Sequence, residues 1–307
     1  MKRIVTLQDI SCLGRCSVTV ALPVISAMGV ECVALPTAVL STHTMFPDFT
    51  CLDLTDQIAP IARHWKAQSI HFDAIYTGYL ASPDQCDRVI EFFQDFRTPD
   101  GLIFVDPAMA DGGKLYAALG PDFPQAMARV CAQADILVPN LTEACLLTGT
   151  PYDPAPCPQY MEDLLKKLLD LGCRQVLLTG AEVRPGEVGV LGLDQTGRSF
   201  SYGLPRLPQS YHGTGDLFAS ACVGGLMNGL TLEQAARIAA RFVSASISAT
   251  AVNHKILPVI RKHKASIVTV GYACTPCAEY CQFQNITLYR FFHYNHPLVH
   301  FYTFLTK

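Results

Sequence analysis

Gly213-Thr214-Gly215-Asp216, running straight into Leu217-Phe218-Ala219-Ser220-Ala221, is the stretch from which the rest of the chain can be organised. Two glycines flanking a threonine let the backbone turn tightly and aim several N–H groups at one point. A helix starting near Asp216 adds its unpaired amides and a dipole worth about half a positive charge. That terminus suits a phosphate, or negative charge that develops during phosphoryl transfer. A carboxylate at the same place can take a proton from an attacking hydroxyl. Read by themselves, the residues fit an N-cap and a turn equally well, so the surrounding chain has to decide.

Upstream, short β-branched runs alternate with helical patterns. Residues 4–7, 32–35, 74–76, 102–105, 136–138 and 176–178 read as buried strands, with helices expected near 17–28, 53–67, 84–97, 115–132 and 160–171. This alternation is the signature of parallel strands joined by crossover helices. Residues 188–193 and 199–203, joined by Asp194-Gln195-Thr196-Gly197, read as an edge hairpin, and helices near 216–229 and 232–250 follow the glycine loop. Four strands end in polar or glycine residues: Thr77-Gly78-Tyr79, Asp106-Pro107, Pro139-Asn140 and Thr179-Gly180. Ligands of open α/β sheets bind beyond such carboxyl ends.

The 307 residues are 50% hydrophobic and 16% charged, which fits a globular enzyme rather than a disordered chain. A net charge of -3 gives no reason to expect nucleic acid or an anionic membrane as partner. No stretch reaches the ~18 apolar residues of a membrane span, and the N-terminal apolar run is too short for a signal peptide. The 13 cysteines have no regular spacing, and several sit in apolar runs, as expected of thiols in a reducing cytoplasm. Residues 256–307 stand apart: Glu279 is their single acid against five Lys or Arg, leaving residues 1–255 at a net of -7 (18 basic, 25 acidic). The tail also holds 10 of the 29 aromatics, a composition break that suggests a different origin for the segment.

Chemistry gathers at the strand ends. Asp106 closes the run Leu102-Ile103-Phe104-Val105, Asp111 lies in a loop closed by Gly112-Gly113, and Glu143 opens a helix in Pro139-Asn140-Leu141-Thr142-Glu143. Carboxylates converging from neighbouring strand ends could hold Mg²⁺, which prefers oxygen ligands and keeps water and phosphate in its shell. Taken singly, Asp111 reads as a turn former, Glu143 as a first-turn residue and Asp106 as a strand-end cap. Asp9 and Ser11, where the first strand is expected to give way to a helix, could grip a small substrate. Thr42-His43-Thr44 forms a second polar cluster, though a lone histidine such as His43 is usually structural.

In order, Gln8-Asp9 with Gly14, Ser41-Thr42-His43-Thr44, Gly78-Tyr79-Leu80, Asp106-Pro107-Ala108-Met109, Pro139-Asn140-Leu141-Thr142-Glu143 and Gly213-Thr214-Gly215-Asp216-Leu217 resemble the pyridoxal kinases of the ribokinase superfamily, over about residues 3–255. The N-terminal part looks closest to the bacterial pyridoxamine kinases. The resemblance implies an α/β fold, a three-layer αβα sandwich with a mostly parallel central sheet, that phosphorylates the 5′-hydroxymethyl group of vitamin B6 with ATP. It implies Asp216 as the base and Gly213, Thr214 and Gly215 as the anion hole. Asp106, Asn140, Glu143 and Thr179 would serve ATP, with Asp106, Glu143 and Asp111 for Mg²⁺. Asp9, Thr44, Met45 and Tyr79 would surround the pyridine ring. A cytoplasmic homodimer acting on small molecules is implied, and assistance by a monovalent cation is left open.

Three departures stand out. Many relatives have serine where Asp9 stands and lysine where Thr179 stands; an acid at the first position could favour an amine-bearing substrate such as pyridoxamine. From about Ile256 the resemblance stops, as a frameshift or a replaced C-terminus would explain, so a kinase domain is expected over 1–255 and an atypical tail over 256–307. Three rival readings follow. Hydroxymethylpyrimidine kinases share the fold but usually carry another glycine-rich N-terminal motif, and some have cysteine in place of Asp216. A catalytically impaired vitamer-binding remnant is the non-enzymatic reading. Cys274, Cys277 and Cys281 with His293, His296 and His300 allow a zinc-binding tail, although the histidine spacing fits poorly.

Overall fold

A computed structural model of the chain describes residues 1–44 and 46–253. Met45 and the tail, with its cysteine and histidine candidates for zinc, lie outside the described residues. The strands are β1 (Arg3–Leu13), β2 (Glu31–Thr42), β3 (Cys51–Asp53), β4 (Ala74–Thr77), β5 (Leu102–Val105), β6 (Ala110–Asp111), β7 (Lys114–Leu115), β8 (Ile136–Leu137), β9 (Gln175–Arg184), β10 (Glu187–Asp194) and β11 (Ser199–Pro205). The helices are α1 (Val18–Ala27), α2 (Thr55–Ala67), α3 (Pro83–Phe96), α4 (Phe123–Cys131), α5 (Leu141–Thr148), α6 (Pro158–Leu169), α7 (Thr214–Met227) and α8 (Leu232–Asn253).

Nine strands form one sheet in the order β11-β10-β9-β8-β5-β4-β1-β2-β3, and β6 pairs with β7 in a small separate hairpin. The six strands from β9 to β2 run parallel, while β3 pairs antiparallel with β2 at one edge and β10 pairs antiparallel with both β9 and β11 at the other. Side chains alternate between the faces, as strand geometry requires. Val5, Leu7, Ile75, Ile103, Val105, Leu137, Val176 and Leu178 enter one core, with α2 to α6. Ile4, Ala74, Tyr76, Phe104, Ile136 and Leu177 enter the other, with α1, α7 and α8. The result is the expected αβα sandwich, mostly parallel and ribokinase-like.

Several boundaries differ from those expected. β1 continues to Leu13, past an irregularity between Gln8 and Ile10, because an equally long β2 pairs with it throughout. Asp9 and Ser11 are therefore buried strand residues, not loop residues. β9 does not stop at Thr179 but runs on to Arg184, paired with β10, so the edge hairpin is a three-stranded ribbon. Thr179 instead marks where the parallel part of β9 ends, bridged to Asn140. Helix α4 starts only at Phe123, with Pro124 in its first turn, since Lys114 and Leu115 are taken up in β7.

Candidate active site

Gly213 starts α7 from the left-handed region, at φ 83°, and a Cβ there would lie 2.1 Å from the Arg15 carbonyl oxygen. Only glycine meets both conditions. Thr214 anchors the turn by donating its hydroxyl to the Tyr211 carbonyl at 3.1 Å. Gly215 is exposed, and a Cβ there would meet nothing within 4 Å, so the backbone is open to an approaching group. Asp216 lies in the first turn of α7, with the Ser17 backbone amide favouring its ionised form. Burial pushes its carboxyl above the usual range, and the Ser17 amide opposes that rise.

A cleft joins Asp216 to the substrate-side residues expected from the sequence. Asp9, Ser11, Thr44 and Tyr79 line it with Asp216. Asp9 is 3% exposed and accepts the Ser11 hydroxyl at 2.9 Å and the Ser17 hydroxyl. Its pKa is raised to about 6: burial is the largest cause, Ser17 pulls the other way, and the charge of Asp216 adds to the rise. Cys16, Ser17, Leu40, His43, Ala108, Tyr116 and His212 complete the wall.

Sequence reasoning did not single out Cys16, Ser17, Tyr116 or His212, and it set His43 aside as a lone histidine. The fold supplies the missing partner: the rings of His43 and His212 lie 4.6 Å apart, inclined by 33°. Burial holds both imidazoles below their ordinary pKa, His43 at about 4. Gly14 makes room for this pair, because a Cβ there would sit 2.4 Å from the His43 ring. The position of His212 beside Gly213 was the one signal available in sequence.

On the nucleotide side expected from the sequence, Asn140 and Glu143 form a reciprocal cap on α5. The Asn140 side chain accepts from the Glu143 amide at 3.0 Å, and Glu143 accepts from the Asn140 amide at 2.8 Å and the Met109 amide at 3.1 Å. Asn140 also donates to the Ala110 carbonyl at 2.8 Å, tying the cap to β6. Burial lifts Glu143 to about 8 despite these donors. Asp106, following β5, is pushed well above the carboxylate range by burial, then by Glu143 and by Asp216. Two buried, mutually repelling carboxylates are hard oxygen donors whose charge a cation would offset, and this chemistry fits Mg²⁺. Asp111 is exposed and its carboxylate accepts from the Gly112 amide at 2.8 Å. Among the described residues no group of three or more His, Cys, Asp or Glu side chains is gathered as a metal cluster. Thr179 is partly buried, with its hydroxyl and amide both directed to the Pro139 carbonyl.

A family model described as phosphomethylpyrimidine kinase matches residues 20–260. The chain belongs to that family. This kinase is 28% identical over 264 residues to the pyridoxine/pyridoxal/pyridoxamine kinase of Bordetella avium, covering 80% of this chain and 85% of that protein. It is also 28% identical over 233 residues to the thiamine biosynthetic bifunctional enzyme of Arabidopsis thaliana, covering 72% of this chain but only 42% of that enzyme. Among solved structures, a putative phosphomethylpyrimidine kinase from Bacteroides thetaiotaomicron, in a crystal form with pyridoxal, is 37% identical. Its TM-score is 0.78, and the match covers 88% of this chain and 98% of that one. Pyridoxal kinase from Lactobacillus plantarum is 29% identical with a TM-score of 0.81, covering 93% of this chain and 100% of that one. Among the described residues, no helix of the kinase is long and apolar enough to cross a membrane.

Proposed function

We propose that the protein transfers the terminal phosphoryl group of ATP to the 5′-hydroxymethyl group of a vitamin B6 vitamer. The observation that carries this reading is that Asp216, at the N-terminus of α7, opens onto the same small cleft as Asp9, Thr44 and Tyr79. A heteroaromatic alcohol held there presents its hydroxyl to the carboxylate and its ring to the polar wall. Asp216 accepts the hydroxyl proton as the oxygen attacks. Its burial makes it a better base than an exposed aspartate, and the Ser17 amide favours the ionised form that the role requires. The amides of Gly213, Thr214 and Gly215 face the charge that develops on the transferred group. Asp106 and Glu143 would hold Mg²⁺, which when bound neutralises phosphate oxygens, with Asn140 and Thr179 beside the nucleotide.

The pyridoxal crystal form of the 37% identical Bacteroides thetaiotaomicron protein supports a B6 vitamer as acceptor. The description of the matching family and the Arabidopsis thaliana relative favour a second reading, hydroxymethylpyrimidine as acceptor in the same cleft. ATP consumption with pyridoxal, pyridoxine, pyridoxamine and hydroxymethylpyrimidine separates the two. The expected result is highest kcat/KM on a B6 vitamer, and exclusive turnover of the pyrimidine would overturn it. Asp216→Asn should lower kcat by about 10²–10⁴, the usual worth of a general base, while calorimetry still detects nucleotide binding. Near-normal turnover in that variant would remove Asp216 from the role.

A further inference from the structure

We propose that Ser17 is a positioning residue, whose hydroxyl and backbone amide hold the carboxylates of Asp9 and Asp216 in one frame. The inference rests on the B6-kinase reading above and goes one step past it, to what sets the ring-binding acid relative to the base.

Ser17 has φ 52° and ψ -133°, a region that side chains other than glycine rarely enter. Strain of this kind persists where the surroundings over-determine it, commonly at functional sites. A serine at the start of a helix ordinarily turns its oxygen back to accept an amide of the first turn. Ser17 occupies that position on α1 and makes no such bond. Its hydroxyl donates to Asp9 instead, and its amide favours the ionised form of Asp216. It is 5% exposed and lines the cleft between them.

The two acids need such a link. The cleft lining contains no lysine or arginine, and burial holds its two imidazoles, His43 and His212, below their ordinary pKa. Asp9 is faced by Asp216 from α7, Cys16 ahead of α1, Cys51 on β3 and Tyr79 after β4; the three neutral groups are pushed upward by burial first, and the charge of Asp9 adds to the rise. Among the described residues, the side chains that donate to it are the hydroxyls of Ser11 and Ser17. Removing a donor that favours the ionised form moves a carboxyl upward in pKa.

The test uses Ser17→Gly, which accepts the backbone conformation without strain and lacks the hydroxyl, with Ser17→Ala as a second variant should the first alter folding. Carboxyl-carbon NMR titration of aspartate-labelled protein, assigned with Asp9→Asn, reads the Asp9 midpoint. Loss of a hydrogen bond to a charged group should move it up by about one unit. In steady-state kinetics the acidic limb of kcat/KM should move up with it, and KM for the vitamer at neutral pH should rise about tenfold while kcat is little changed. An unmoved Asp9 midpoint in a folded variant overturns the inference, as does a fall in kcat with KM unaltered. Should the wild type phosphorylate no B6 vitamer, the functional reading fails, and the titration still decides the role of Ser17.

Discussion

At Gly213, backbone conformation and close packing coincide, and the consequence can be measured. A methyl group would be forced both into a left-handed φ and to 2.1 Å from the Arg15 carbonyl oxygen. Gly213→Ala should therefore destabilise the fold by about 1–3 kcal/mol or more in urea denaturation, beyond any loss of activity. Asp9 gives a second prediction at this scale, through pH. Its folded-state pKa of about 6 lies above the ordinary 3.8, so the folded protein holds this proton more tightly than the unfolded chain does. The associated stability is complete below the lower value and is lost as pH rises through the upper one. Asp9→Asn, uncharged and of the same shape, should escape that loss. Between about pH 4 and pH 7, the stability of the variant relative to wild type should improve by about 2 kcal/mol. Parallel curves for the two proteins would show that Asp9 is solvated or paired in solution.

Helix α5 opens on a cap that its residues spell out. Asn140 and Glu143 stand three apart ahead of an apolar run, the spacing of a reciprocal cap, and the structure makes both of its bonds. Glu143 is thus fixed by backbone amides before any nucleotide arrives. Asn140→Ala should cost about 0.5–2 kcal/mol of unfolding free energy. It should also raise the Mg²⁺ concentration needed for half-maximal turnover, because the turn that presents the Asn140 amide to the Glu143 carboxylate would lose the side-chain ties to the Glu143 amide and the Ala110 carbonyl that hold it. An unchanged Mg²⁺ requirement would confine Asn140 to a structural part. The core halves of the strands were readable because apolar side chains alternate across a doubly covered sheet. The polar continuation of β1 was not, since Gln8, Asp9 and Ser11 carry no apolar period and are held by pairing with β2. Thr179 was misplaced at a strand end because antiparallel pairing with β10 extends β9 past the glycine that follows it. The His43–His212 contact joins residues far apart in sequence, and no local pattern announces it.

For the whole molecule, the sheet separates two apolar cores, and the candidate site lies where α1 and α7 from one layer meet the ends of β4 and β5. Helices α1 and α7 pack on each other through the core that holds Val20, Val24, Leu217 and Ala221. The Ser17 and Asp216 positions are therefore set by one helix pair. Among the described residues, those lining the cleft fall between Asp9 and Asp216 and those of both cores between Ile4 and Val243. We propose a self-sufficient body ending near residue 255, since a domain is defined by a core it completes alone. A chain truncated at residue 255 should unfold in a single cooperative transition and bind a B6 vitamer with the affinity of the full chain. Fluorescence-monitored denaturation and vitamer titration of the two proteins side by side provide the comparison. If truncation abolished cooperativity, or weakened vitamer binding by tenfold or more (about 1.4 kcal/mol), residues 256–307 would have to complete the core or the cleft, and the division at 255 would be wrong.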